Sequence, residues 1–122
     1  MDTLVNTLRR DFANNNNINR MYSQDEYVCL KKTYTERIIS AINVLGKHPS
    51  VVKLLLTSNC YGIAFLAKSR SMLADIPELD IEDIETIYSN LVKLYTACKK
   101  IHELDWGLNT NINYQHSYLD AR

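Results

Sequence analysis

The chain has 122 residues, enough for one domain, and its 46% hydrophobic content can bury a real core, which excludes an intrinsically disordered chain. Three glycines and two prolines are too few for the many turns of a β-sandwich or barrel, so the composition points to an all-α fold. Formal net charge is zero and the pI is about 6.8, whereas a dedicated nucleic-acid binder is usually basic.

The first predicted helix covers about residues 2–13. Asp2 can cap its first turn, and Leu4, Val5, Leu8 and Phe12 share one face at helical spacing. Arg9 and Arg10 sit near its C-terminal end, where the helix dipole favours cations. This opening stretch lacks the apolar segment of a secretory signal. NNNNIN at 14–19 follows and reads as a loop, because asparagine side chains compete for backbone hydrogen bonds.

A second helix is predicted over 24–45. Ser23-Gln-Asp-Glu26 has the form of a capping box. Tyr27, Leu30, Tyr34, Ile38, Ala41, Ile42 and Leu45 make the face expected to be buried, with Lys31 and Lys32 pointing away. Gly46 is expected to supply a left-handed stop, with Pro49 three residues on.

The stretch from about 50 to 73 is apolar nearly all round between Val51 and Ala67, as in a helix at the centre of a bundle. Thr57, Cys60, Ala64, Ala67 and Ser71 form a stripe of small residues that would let a neighbouring helix approach closely. Asn59 and Gly62 leave open a break or kink near 58–62. The apolar run falls short of the roughly 20 residues that span a bilayer, so no membrane contact is expected. Asp75 to Leu79 is a connector, restricted by Pro77.

A last helix is predicted over 81–105. Asp80 is its N-cap, acidic residues crowd its first turn, and Ile84, Ile87, Leu91, Leu94, Cys98 and Ile101 form its core stripe. Gly107 is expected to end it. Residues 108–122 then form a polar tail, mobile or docked. The expected architecture is a compact bundle of four or five helices over residues 1–107, with the central apolar helix at about 50–73.

Motifs that carry chemistry are scarce. His102-Glu103-Leu104-Asp105-Trp106 approaches the zinc-protease pattern H-E-x-x-H, but Trp106 stands where the second histidine is required. The three histidines and three cysteines have no metal-ligand spacing, and no glycine-rich phosphate loop exists. Cys98 and His102, four apart on one helix, read better as a buried thiol beside a boundary histidine than as a catalytic pair. No enzyme activity, cofactor or metal is expected. Three cysteines without a disulfide framework read as small buried hydrophobes in a cytoplasmic or other reducing compartment.

Two features suggest a partner surface. Tyr88, Tyr95 and His102 recur every seven residues along one edge of the last helix, with Trp106 near its end; the row is either a bundle boundary or an exposed ridge. The tail carries Tyr114, Tyr118 and Leu119, aromatic and apolar anchors in a polar segment. The charge is also split. Residues 1–74 carry ten Lys/Arg against five Asp/Glu, and residues 75–122 carry four against nine. The halves either attract each other within one fold or stay solvated, or a basic surface is offered to an acidic partner.

The reading that follows is a non-enzymatic helical protein-interaction module: an adaptor, an inhibitor of a partner protein, or an assembly subunit, with a homo-oligomer compatible. Abundant Asn, Ile, Lys and Tyr, all with A/T-rich codons, suit a phage or viral accessory protein. The alternative is a nucleic-acid accessory factor that uses Arg9, Arg10, Arg20, Lys31 and Lys32, joined by Arg37 and interleaved with Tyr22, Tyr27 and Tyr34.

Overall fold

The computed structural model describes residues 2–10, 12 and 22–120, with side chains described as far as Asp105. Arg20, the asparagine run and the side chains of Trp106, Tyr114, Tyr118 and Leu119 therefore lie outside the described residues. Among the described residues the chain forms five α-helices and no strand, so the all-α bundle is the fold.

Helix α1 spans Asp2–Arg9, with Leu4 and Leu8 fully buried and Phe12 buried just beyond its end. Helix α2 spans Gln24–Leu45, with the bounds its capping box predicts. The Glu26 amide donates to Ser23 Oγ at 3.1 Å, and the Ser23 hydroxyl donates to Glu26 Oε1 at 3.3 Å. Of its predicted inner face only Ala41 and Leu45 are fully enclosed; Tyr27, Leu30 and Tyr34 are half-buried. The reason is the packing: α2 lies chiefly on one other helix, and a single helix–helix contact closes a narrower stripe than a core does.

Gly46 does not adopt the left-handed stop. Its φ and ψ are −65° and −16°, and its amide donates to the Ile42 carbonyl at 2.8 Å. Room, not φ, is what the glycine supplies, since a Cβ there would stand 3.1 Å from that same oxygen. The turn is completed by His48, which leaves helical geometry at φ −127°, ψ 56°, as expected ahead of Pro49.

The long central helix expected over 50–73 is two helices. Helix α3 is Pro49–Leu55, a single tight turn follows at Leu56–Ser58, and helix α4 is Gly62–Ala74. Asn59 at φ 58° and Gly62 at φ 57° both take left-handed backbone, which a continuous helix cannot contain and which asparagine and glycine tolerate best. Neither half is central. On α4 the inward face is Gly62, Phe65, Leu66, Ser69 and Leu73, while Thr57, Ala64, Ala67 and Ser71 of the small-residue stripe are exposed and Cys60 is half-buried. That stripe therefore admits no helix of the described chain.

The central element is helix α5, Ile81–Asp120, which packs against α1, α2 and α4. Asp80 caps it as predicted, its Oδ1 accepting from the Asp83 amide at 2.7 Å. Ile87, Leu91, Leu94, Cys98 and Leu104 are buried along it, with Ile84 and Ile101 half-buried at the flanks. It does not end at Gly107: the backbone stays helical to Asp120 where an irregular tail was expected. A glycine costs a helix about 1 kcal/mol but leaves every hydrogen bond in place, and no proline follows to enforce a stop. At about 1.5 Å per residue the whole helix is roughly 60 Å long. Helices α2 and α5 run antiparallel, since Tyr27 meets Asp105 and Ser40 meets Lys93.

Candidate functional site

The aromatic row of α5 lies within the fold. Phe12 places its ring 5.4 Å from that of Tyr95 and 5.5 Å from that of His102, both tilted, as aromatic pairs prefer. Tyr95 is buried, and His102 is half-buried. Tyr88, one turn-pair earlier, is half-buried with the Arg70 guanidinium 5.7 Å from its ring centre. The row is thus the seam where α5 receives the end of α1 and the flank of α4. As an exposed ridge it is corrected: Tyr95 has no open face, because Phe12 closes it.

The basic candidates are dispersed in role. Lys31, expected to be simply solvated, spans the α2–α5 seam: its Nζ donates to the Tyr27 hydroxyl at 2.7 Å and to Asp105 Oδ1 at 3.2 Å. These contacts, Tyr27 first and Asp105 second, raise its pKa above the ordinary lysine value. Tyr22 is buried, so it offers no stacking face. The Arg37 guanidinium lies 4.9 Å from the centre of the Tyr34 ring. Lys32 is exposed. Arg9 and Arg10 do come together with Asn6, Phe12 and His102 around an open cleft of about 480 Å³ between α1 and α5. Arg10 also stacks over Tyr61, 4.0 Å from the ring centre.

A smaller hollow of about 150 Å³ joins Val5, Arg9, Ile38, Cys98, Ile101 and Asp105. Burial pushes the Cys98 thiol pKa up, and the nearby Arg9 charge only partly opposes it. A thiol held protonated in this way is a packing group, as its place in the core stripe suggests. Cys29, by contrast, is exposed, which corrects the expectation that all three cysteines are buried. Among the described residues no cluster of three His, Cys, Asp or Glu side chains could hold a metal ion, and no helix is long and apolar enough to cross a membrane.

Sequence reasoning missed a different surface. Leu54 on α3 is 45% exposed, Tyr61 40% and Ile63 on α4 61%. Periodicity could not find them, because a segment apolar all round shows no outer face. A charge signal was available: from Arg37 to Ala74 the chain carries five Lys/Arg and no Asp or Glu. Of these, Lys47, Lys53, Lys68 and Arg70 are all exposed on or beside α3 and α4. Helices α3 and α4 thus expose apolar and small residues together with cations, and after them exposed acidic residues begin only at Asp75.

No family model matches the chain, and comparison with curated proteins and with solved structures finds no significant match.

Proposed function

We propose that the chain is a non-enzymatic helical interaction module, an adaptor, inhibitor or assembly subunit that docks another protein on its α3–α4 surface. The observation that carries this reading is Ile63. A large aliphatic side chain left 61% exposed, in a segment that also exposes Leu54 and Tyr61, is a cost that burial in an interface removes. The exposed Ala64 and Ala67 allow a partner backbone to come close, and the cations around them favour an acidic partner. Trp106, Tyr114, Tyr118 and Leu119 remain a second docking segment in this proposal, carried on the helical extension of α5. The free cysteines, one of them exposed, suit a reducing compartment.

The test compares the full chain with Ile63→Asp and with a chain truncated after Trp106 in affinity capture from the native source. The expected result is a stoichiometric protein retained by the full chain and lost with Ile63→Asp, while the far-UV circular dichroism of the two is the same. Identical captured proteins for all three chains would remove both surfaces.

A second reading, nucleic-acid binding, draws on the cleft that Arg9 and Arg10 share with Asn6 and His102. It requires binding that weakens steeply with salt. A low-salt gel shift that shows no complex with DNA or RNA ends it.

A further inference from the structure

The end of α1 brings two guanidinium groups to one place. Arg9 and Arg10 both line the cleft of about 480 Å³ between α1 and α5, together with Asn6, Phe12 and His102. Among the described residues no carboxylate lines it, and neither arginine is engaged in an ion pair. The nearby acids are committed elsewhere. Glu103, next to His102 in sequence, pairs with Lys100 at 3.8 Å. Asp105, in the smaller hollow that Arg9 also borders, accepts from Tyr27 and Lys31. The walls of the cleft are held in place. Phe12 is buried against the rings of Tyr95 and His102, and the Arg10 guanidinium is stacked 4.0 Å over Tyr61. Stacking uses the face of a guanidinium and leaves the N–H groups in its plane available to an acceptor. Two cations on one cleft without a counter-charge repel each other, and an anion bound there removes that repulsion.

We propose that this cleft binds a small phosphomonoester, with the dianionic phosphate held by Arg9 and Arg10. The inference is independent of the α3–α4 docking surface, and it differs from nucleic-acid binding at the same cleft. A nucleic-acid strand calls for a track of cations along successive phosphodiesters. No third arginine or lysine lines this cleft among the described residues, Lys31 is committed to the α2–α5 seam, and Tyr22 is buried. Two guanidiniums without a track beyond them match a single doubly charged group. A phosphomonoester carries nearly two negative charges at neutral pH, whereas a diester or a carboxylate carries one. The charge count matters because α1 ends here, and the negative end of its dipole opposes an anion with about half a charge. One arginine would leave little net attraction, and two leave a clear excess. The cleft also has room for more than a phosphate, since small-molecule sites run from about 300 to 1,000 Å³. The Asn6 amide offers both a donor and an acceptor to a hydroxyl on the body of the ligand.

The test is a nuclear magnetic resonance titration of the full chain at constant ionic strength, following the arginine side-chain N–H signals. Glycerol 3-phosphate is the probe, with dimethyl phosphate, acetate and inorganic phosphate beside it. Glycerol 3-phosphate should shift the Arg9 and Arg10 signals and the Asn6 side-chain amide saturably, with a Kd of about 1 mM or tighter. Dimethyl phosphate and acetate, each singly charged, should bind at least about tenfold more weakly. Arg9→Gln and Arg10→Gln should each weaken glycerol 3-phosphate by about tenfold with native circular dichroism, and Lys32→Gln on α2 should leave it unchanged. Inorganic phosphate should bind more weakly than the ester, because it leaves Asn6 and the rest of the cleft unfilled; equal affinity would overturn the ester and assign the cleft to the free ion. Shifts that never saturate, or binding that survives both arginine substitutions, overturn the inference. So does a single-stranded oligonucleotide that moves the same signals at lower concentration than the ester, which gives the cleft to nucleic acid. None of these results bears on capture of a protein through Ile63.

Discussion

Tyr27 and Asp105, 78 positions apart, meet across the α2–α5 seam, the phenol donating to Oδ1 at 2.5 Å. With Lys31 donating to both, the half-buried start of α2 is pinned to α5 by polar contacts where its apolar contacts are thin. Tyr27→Phe should therefore cost about 0.5–1.5 kcal/mol, read as a lower urea midpoint with an unchanged slope. An unaltered midpoint would mean that the pair contributes nothing beyond its solvated alternatives. Lys31 adds a pH dependence of defined sign. Its folded pKa is raised, so its contribution is complete below the unfolded lysine value of about 10.4 and is lost as pH rises through the higher folded value. Because 43% of its side chain is exposed, that contribution is expected below about 1 kcal/mol. The stability gap between wild type and Lys31→Met should be flat around neutral pH and close only in the alkaline range.

Phe12 is the anchor that docks the end of α1, and it fills the space between Tyr95 and His102. Removing a buried phenylalanine ring typically costs about 3–5 kcal/mol. Phe12→Ala should destabilise by that order in urea unfolding, whereas Ile63→Ala on the open face of α4 should stay within about 0.5 kcal/mol of wild type. If the two substitutions cost the same, the contrast between a sealed seam and an open stripe does not hold.

Two substitutions on α4 should move stability in opposite directions. Gly62 is buried at φ 57°, where a side chain costs roughly 1–2 kcal/mol, so Gly62→Ala should destabilise although alanine is the better helix former by about 1 kcal/mol. Ser69 is fully buried and its hydroxyl has no hydrogen-bond partner among the described residues. Ser69→Ala removes that orphaned group and should stabilise by about 1 kcal/mol. Thermal or urea unfolding of both chains checks the pair, and a stabilised Gly62→Ala would place the start of α4 elsewhere.

What the sequence disclosed was local. The caps at Ser23 and Asp80 were legible because a cap and the amide it serves lie three residues apart. The break at Asn59 and Gly62 was legible as an option, because two residues tolerant of positive φ interrupt an apolar run. Which helix is central was not. Hydropathy singled out 50–73, but centrality depends on how many neighbours a helix meets, and α5 meets three although polar residues outnumber apolar ones along its length. The aromatic row could be read as a boundary or a ridge, and the choice turned on Phe12, a residue from the other end of the chain. The exposed Ile63 was invisible for the converse reason: in a segment apolar on every side, sequence cannot say which side is left open.

The three cysteines grade the accessibility of the fold in one experiment. Cys29 is exposed, Cys60 half-buried and Cys98 buried. Burial raises the Cys98 pKa above the ordinary thiol value, which keeps the thiol protonated, and the same burial shields it from reagents that reach the exposed Cys29. The raised value also means that this thiol supports the folded state below its unfolded pKa and ceases to do so as pH rises through the folded one. Alkylation at about pH 8 followed by peptide mass mapping should label Cys29 first and Cys98 last, with Cys98 at least about tenfold slower. In urea the two should react alike. Equal rates in the native chain would show that the hollow beside Val5, Arg9 and Ile38 admits solvent freely, and that the α1 contact over Cys98 is open.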